Sequence, residues 1–184
     1  IELKKRSFSD PKMTFRNLLQ EMVYPYGGDY IDRIAMEATL QKFLIQYMET
    51  DWSFLVRQAS GFNTGLVADC IGDKPRFWFG IPEGIERTVG DEQDHLRGLS
   101  YNVRRNIGGY RDFVANHPVN FTETDFKSYE VITDAFFDIG DRVTMYNRGK
   151  MEKLVVAAAT ARMEQGMMKF KATLTTENGM KQKT

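Results

Sequence analysis

The sequence predicts an α+β chain, with short helices flanking strands in its first half and a small antiparallel β-barrel in its second. Three observations carry that prediction. Two stretches before residue 62 combine a capping residue with helical apolar spacing, at 10–22 and 50–61. The turn-forming quartet Gly72-Asp73-Lys74-Pro75 separates two strand-forming runs. From Tyr129 onward, alternating runs follow one another with little but turn residues between them. The Gly-, Glu- and Asp-rich stretch 82–94 has little periodicity and places a junction between domains 1–84 and 85–184.

Taken in order, Asp10-Pro11 predicts a helix start, because proline at the first helical position loses no hydrogen bond. Phe15, Leu18, Leu19 and Met22 make its apolar stripe, and Pro25 with Gly27-Gly28 ends it. Residues 42–47 read as a strand with Phe43, Ile45 and Tyr47 on one side. Thr50 then caps a second helix, Asp51 favours its positive N-terminal dipole, Trp52, Leu55, Val56 and Ala59 form its stripe, and Gly61 stops it. Residues 66–71 and 76–81 form a hairpin. Residues 99–104 read as a strand, while 106–116 fit neither helical nor strand period. Strands follow at 129–134, 142–146, 153–163 and 167–175, with turns at Gly140-Asp141, 147–149 and Gln165-Gly166.

Composition removes several classes of function. With 42% apolar and 27% charged residues the chain is ordinary globular material, neither disordered nor membrane-embedded. Lys plus Arg and Asp plus Glu both number 25, so there is no basic excess to attract nucleic acid. The apolar run 154–159 is far shorter than the roughly 18 residues of a membrane span, and no signal-peptide pattern opens the sequence. Cys70 is the single cysteine, which excludes an internal disulfide and suits a reducing cytoplasm. The start at Ile1 leads directly into Glu2-Leu3-Lys4-Lys5-Arg6, as expected of a piece of a longer protein.

Chemistry-bearing residues are sparse and scattered. His95 and His117 lie in no metal or nucleophile motif, and Cys70 falls in a predicted strand, where a small apolar residue is the simpler reading than a thiol nucleophile served by one of these histidines and an acid such as Asp69. Glu49 with Asp51, and Asp91, Glu92 and Asp94, could divide acid and base duties in a wall-degrading hydrolase. The plainer reading gives the first pair to a helix start and the second group to a solvated loop. Gly108-Gly109 lacks the Gly-Lys-Ser or Gly-Lys-Thr ending of a phosphate loop. Phe77, Trp78 and Phe79 could stack on sugar as a carbohydrate-binding module would, but consecutive aromatics on a strand fit a core or a subunit contact better. No metal, cofactor or catalytic residue is assigned, and an enzyme is not expected. Ten methionines and thirteen phenylalanines exceed the evident needs of a small two-part core, so some are expected at interfaces.

Residues 46–59, reading Gln-Tyr-Met-Glu-Thr-Asp-Trp-Ser-Phe-Leu-Val-Arg-Gln-Ala, resemble the strand-to-helix segment of the phage late-control D and VgrG family of baseplate hubs. Arg6-Ser7-Phe8-Ser9-Asp10, the stretches 62–69 and 77–82, and Phe137-Asp138-Ile139-Gly140-Asp141-Arg142-Val143 are similar to that family's opening, hairpin and turn into the closing strands. The resemblance spans roughly residues 1–179, with 46–59 its most specific part. It implies a structural component of a phage, prophage or other contractile injection tail. Such a subunit carries two barrels, closes as a homotrimer into a ring, and joins the tail tube to the spike. The family's upstream barrel and spike have no recognisable counterpart here. The implied partners are copies of itself, the tube and the spike; the implied location is the cytoplasm during assembly and then the baseplate. Candidate contact residues are Phe77, Trp78, Phe79, Val143, Met145, Met168 and Phe170, from the hairpin and the barrel strands.

Overall fold

Both helical stretches of the first half form helices in the computed structural model, which describes residues 2–69, 72–89, 100–105, 122–133, 135–147 and 150–181. The chain divides into two units, Ile1–Ile81 and Pro82–Lys183, each with its own apolar core.

Helix α1 (Phe15–Val23) begins later than Asp10-Pro11 predicts. There the Asp10 carboxylate accepts from the Lys12 amide at 2.9 Å and the Asp10 carbonyl from the Met13 amide at 3.2 Å, which closes a single turn. Thr14 is extended and caps the helix instead, its hydroxyl accepting from the Asn17 amide at 3.2 Å. Phe15, Leu18, Leu19, Met22 and Val23 are buried, and the helix tightens into a 3-10 turn at Tyr24–Tyr26 before left-handed Gly27. Strand β1 (Lys4–Phe8) precedes α1, and β2 (Asp29–Asp32) follows it. Neither is evident from propensity, because β1 is mostly cationic and β2 is four residues with an acid at each end.

Strand β3 (Leu44–Glu49) pairs antiparallel with β1, with Lys5 opposite Tyr47 and Ser7 opposite Ile45. Helix α2 (Asp51–Gly61) follows directly, and the Thr50 hydroxyl accepts from the Ser53 amide at 3.0 Å. Its buried face is Phe54, Leu55, Gln58 and Ala59. The predicted stripe of Trp52, Leu55, Val56 and Ala59 is thus rotated, because Phe54 turns inward to lie 5.7 Å from Phe8 while Trp52 stays partly exposed. Strands β4 (Leu66–Asp69) and β5 (Arg76–Phe79) make the expected hairpin, and β2 adds to β5 in parallel. One core joins β1, α1, β3, α2, β4 and β5. Each fully buried Leu or Phe in it is worth roughly 1.5–3 kcal/mol over an exposed one.

The second unit holds a six-stranded sheet. In space the order is β6 (Glu86–Val89), β9 (Arg142–Asn147), β10 (Lys150–Glu164), β11 (Met167–Thr175), β8 (Lys127–Thr133) and β7 (Ser100–Arg105). Every pairing is antiparallel except β6 with β9, which is parallel. The sheet is therefore mixed, and β6 occupies part of the stretch read from sequence as a loop. It is anchored by Asp141, whose carboxylate accepts from the Ile85 amide at 3.0 Å and from Arg87 Nε at 2.7 Å. Among the described residues no pairing joins the end strands β6 and β7. Side chains from β6, β8, β9, β10 and β11 nevertheless meet in one cluster around Tyr129, Val131, Val156 and Leu174. Gln165 and Gly166, both left-handed, form the two-residue turn that matches strand twist between β10 and β11. A short helix α3 (Glu177–Lys181) follows.

Gly140 shows how tightly the turn before β9 is built. Its φ is +92°, and a Cβ there would lie 2.5 Å from the Pro82 carbonyl oxygen. Gly140→Ala is expected to cost about 2–4 kcal/mol in urea unfolding through strain and overlap. Gly61→Ala, with open space around its Cβ, is expected to stay within about 1 kcal/mol of wild type. Equal effects of the two would contradict this account of the turn.

Candidate functional site

The most polar constellation of the first unit lies where β3 hands over to α2. Asp51, in the first turn of α2, receives Lys4 Nζ at 2.9 Å, the Tyr26 hydroxyl at 2.7 Å, Gln46 Nε2 at 2.9 Å and the Arg6 guanidinium. Gln46 is fully buried and also accepts from Arg6 Nε at 2.8 Å, so it relays between the arginine and the carboxylate. Burial pushes the Asp51 carboxyl upward. The hydrogen bonds from Gln46, Lys4 and Tyr26, with the charge of Arg6, outweigh that and hold it at about 2. Lys4 is correspondingly held above the ordinary lysine value by its bonds to Tyr26 and Asp51. This is the reverse of what a general acid needs, since such a group must keep its proton near neutral pH. Glu49, the other half of the proposed pair, is bound to Arg57 at 2.5 Å.

Beside this cluster lies a cleft of about 670 Å³ walled mainly by Met22, Tyr26, Trp52, Leu55 and Phe77. Its charged rim is self-satisfied, with Asp69 paired to Arg76 at 2.6 Å and Asp51 engaged as above. The sugar-stacking platform does not form. Phe77 points into the core, whereas Trp78 points to the other side of β5 and is faced by the Arg33 guanidinium 5.8 Å from its ring.

The seven candidate contact residues separate clearly. Phe77, Phe79, Val143 and Met145 are buried side chains of the single chain, the last three 1% exposed. Strand alternation identifies one face of each strand, and here that face is the core. Trp78 is half-buried, Phe170 is half-buried with its ring edge-on to Phe136 at 5.5 Å, and Met168 is exposed. The latter two sit on a projecting hairpin. Strand β9 covers β10 only along Lys150 to Val155, and β8 covers β11 only from Phe170 to Thr175. Val156 still bonds to Gly140 and Asp141, and beyond it the two strands pair only with each other among the described residues, out to Glu164 and Met167. Met163, Met167 and Met168 are exposed at that end, where Lys169 pairs with Glu164 at 3.3 Å.

A second exposed apolar surface is absent from the predicted contact set, although its pattern was visible. Ile45 and Tyr47 are exposed on the outer side of β3, and Phe43 just before it is exposed too, while Leu44 and Gln46 are buried. What alternation alone does not reveal is that a polar glutamine, not the aromatics, belongs to the inside.

Cys70, His95, His117, Asp91, Glu92, Asp94, Gly108, Gly109 and the ambiguous stretch 106–116 lie outside the described residues. Among the described residues no group of three His, Cys, Asp or Glu side chains is placed to hold a metal, and no helix is long and apolar enough to cross a membrane.

No family model matches the chain, and no curated protein matches it by sequence. Solved structures do match. The 43 kDa tail protein of prophage MuSo2 from Shewanella oneidensis superposes over 95% of this chain and 66% of its own, with a TM-score of 0.68 at 12% identity. A tail protein from Neisseria meningitidis superposes over 95% and 70%, with a TM-score of 0.66 at 9% identity. An E. coli component of the type VI secretion system, itself described as structurally similar to the bacteriophage T4 tail proteins gp27 and gp5, covers 95% and 51% with a TM-score of 0.61 at 10% identity. The chain thus spans between about half and 70% of the length of these proteins. Its mixed α+β fold is one that occurs in phage tail proteins and in a type VI secretion component.

Proposed function

We propose that this chain is part of a baseplate hub of the late-control D and VgrG kind, joining tail tube to spike as one subunit of a threefold ring in a phage, bacteriocin or injection particle. The observation that carries the reading is the β10–β11 hairpin, which among the described residues extends past the ladders of both neighbouring strands and carries exposed methionines. A two-stranded ribbon is marginal by itself in water, and unpaired strand edges are templates for another chain. The hairpin therefore fits a role in reaching an adjacent copy and closing the second unit's sheet toward a barrel within the ring. The tail-protein fold supports the same reading, as does the saturation of Asp51 and Glu49, which leaves the hydrolase alternative without a free acid at that pair. Function here is broad contact rather than turnover. Assembly would take place in the cytoplasm, before incorporation into the baseplate.

Sedimentation velocity tests the proposal. At about 50 µM the chain is expected to run at three times its monomer mass, and Met168→Glu to weaken that association about tenfold, the cost of placing a charge in a desolvated contact. Association unaffected by Met168→Glu, or a monomer throughout, would remove the hairpin from the argument.

A further inference from the structure

The β10–β11 hairpin concentrates the exposed thioethers of the chain. Among the described residues six methionines are exposed, and three of them, Met163, Met167 and Met168, sit together at the hairpin's tip, 71%, 61% and 45% exposed. Met163 stands opposite Met168 in the ladder, and Ala161 opposite Phe170. Alternation therefore sets these four on one side of the ribbon, in line with the buried Ala172 and Leu174. The other exposed methionines are scattered: Met36 and Met48 belong to the first unit, and Met151 lies at the opposite end of β10, across from Tyr146. Met22, Met145 and Met180 are at most 1% exposed.

We infer that Met163, Met167 and Met168 form a modification site, at which a peroxide converts the thioethers to sulfoxides and so bars the subunit from its ring. This rests on the hub reading and names a control on the same contact. In the reaction the thioether sulfur attacks one peroxide oxygen. An S–O bond forms as the O–O bond breaks, sulfur gives up an electron pair, and the second oxygen leaves as water with the proton of the first. The product replaces a soft apolar sulfur with a polar S–O group whose oxygen requires a hydrogen bond. Water supplies that bond on the free hairpin, whereas a desolvated contact leaves the oxygen unpaired. Oxidation therefore weakens association and spares the fold, because the core methionines are closed to solvent. The reaction acts on the free subunit, since the ring contact would cover the same sulfurs.

Sedimentation velocity of the full chain before and after hydrogen peroxide, with peptide mapping of each sulfoxide, tests the inference. Once Met163 and Met168 are oxidised, wild type is expected to associate at least about tenfold more weakly with an unchanged far-UV spectrum. Thiol-dependent methionine sulfoxide reductases should restore association. Met36→Leu, Met48→Leu and Met151→Leu combined should leave the peroxide effect as large as in wild type. Met163→Leu, Met167→Leu and Met168→Leu combined should lose nothing on treatment relative to its own untreated value. That variant keeps Cys70, so an effect passing through the thiol would persist in it. Mapping of wild type at high and low protein concentration needs no substitution: the hairpin methionines should oxidise more slowly in the associated chain, and Met36, Met48 and Met151 at an unchanged rate. A three-copy species that survives oxidation of all three hairpin methionines overturns the inference and leaves the hub reading standing. So does peroxide sensitivity retained by the hairpin leucine variant. A chain that runs as one copy before any treatment overturns the hub reading and the inference with it.

Discussion

Asp51→Ala is expected to destabilise the first unit by about 3 kcal/mol, as removing one partner of a largely buried, hydrogen-bonded ion cluster does. The Asp51 side chain is 11% exposed, and its loss strands Lys4, Arg6 and the buried Gln46 together. The same carboxylate predicts how stability depends on acid. Its folded value of about 2 lies below the unfolded value of about 3.9. The stabilisation is therefore complete above about pH 4 and disappears as the pH falls through 2, a contribution of about 2 kcal/mol. Urea midpoints for wild type between pH 4 and 2 should fall more steeply than those of Asp51→Asn, which has no charge to lose. Parallel pH profiles would show that Asp51 is not the anchor of the β3–α2 junction.

Asp141→Ala should be at least as damaging to the second unit, by about 4 kcal/mol. Asp141 is 2% exposed and its two oxygens accept from the Ile85 amide, the Asp138 amide at 3.1 Å and Arg87 Nε. Each of those donors loses its acceptor when the buried carboxylate is removed. Because two of the three bonds tie in the strand that runs parallel to β9, the substitution should loosen β6 first. Amide exchange at Arg87 to Val89 is expected to accelerate before exchange in β10 and β11 does. Uniform acceleration across the sheet, or a loss below about 1 kcal/mol, would contradict that role.

What the sequence disclosed follows the physics of each element. The segment from β3 into α2 was legible because alternation, a threonine cap, an acid in the first turn and a C-terminal glycine all point one way. The β10–β11 hairpin was legible for the same reason, with Gln165-Gly166 supplying its turn. Strands β1, β2 and β6 were not, since Lys4, Arg87 and their neighbours form strands only because a partner edge and a buried acid hold them there. Asp10-Pro11 illustrates the limit of local signals, because the same residues that start a helix also close a turn. The contact surfaces were half visible. Alternation put Phe43, Ile45 and Tyr47 together and likewise grouped Val143 with Met145, but which group faces water depends on what lies behind the strand. Behind the first stands the Gln46 relay; the second faces the core around Val156.

The proposed role requires the chain to act through its surfaces inside a tail. Electron cryomicroscopy of particles assembled with this protein tests that most directly. The expected map places three copies in a ring at the junction of tube and spike, each β10–β11 hairpin lying against the next copy. Particles that assemble without the protein, or a map that puts it elsewhere with the hairpin free in solvent, would contradict the account.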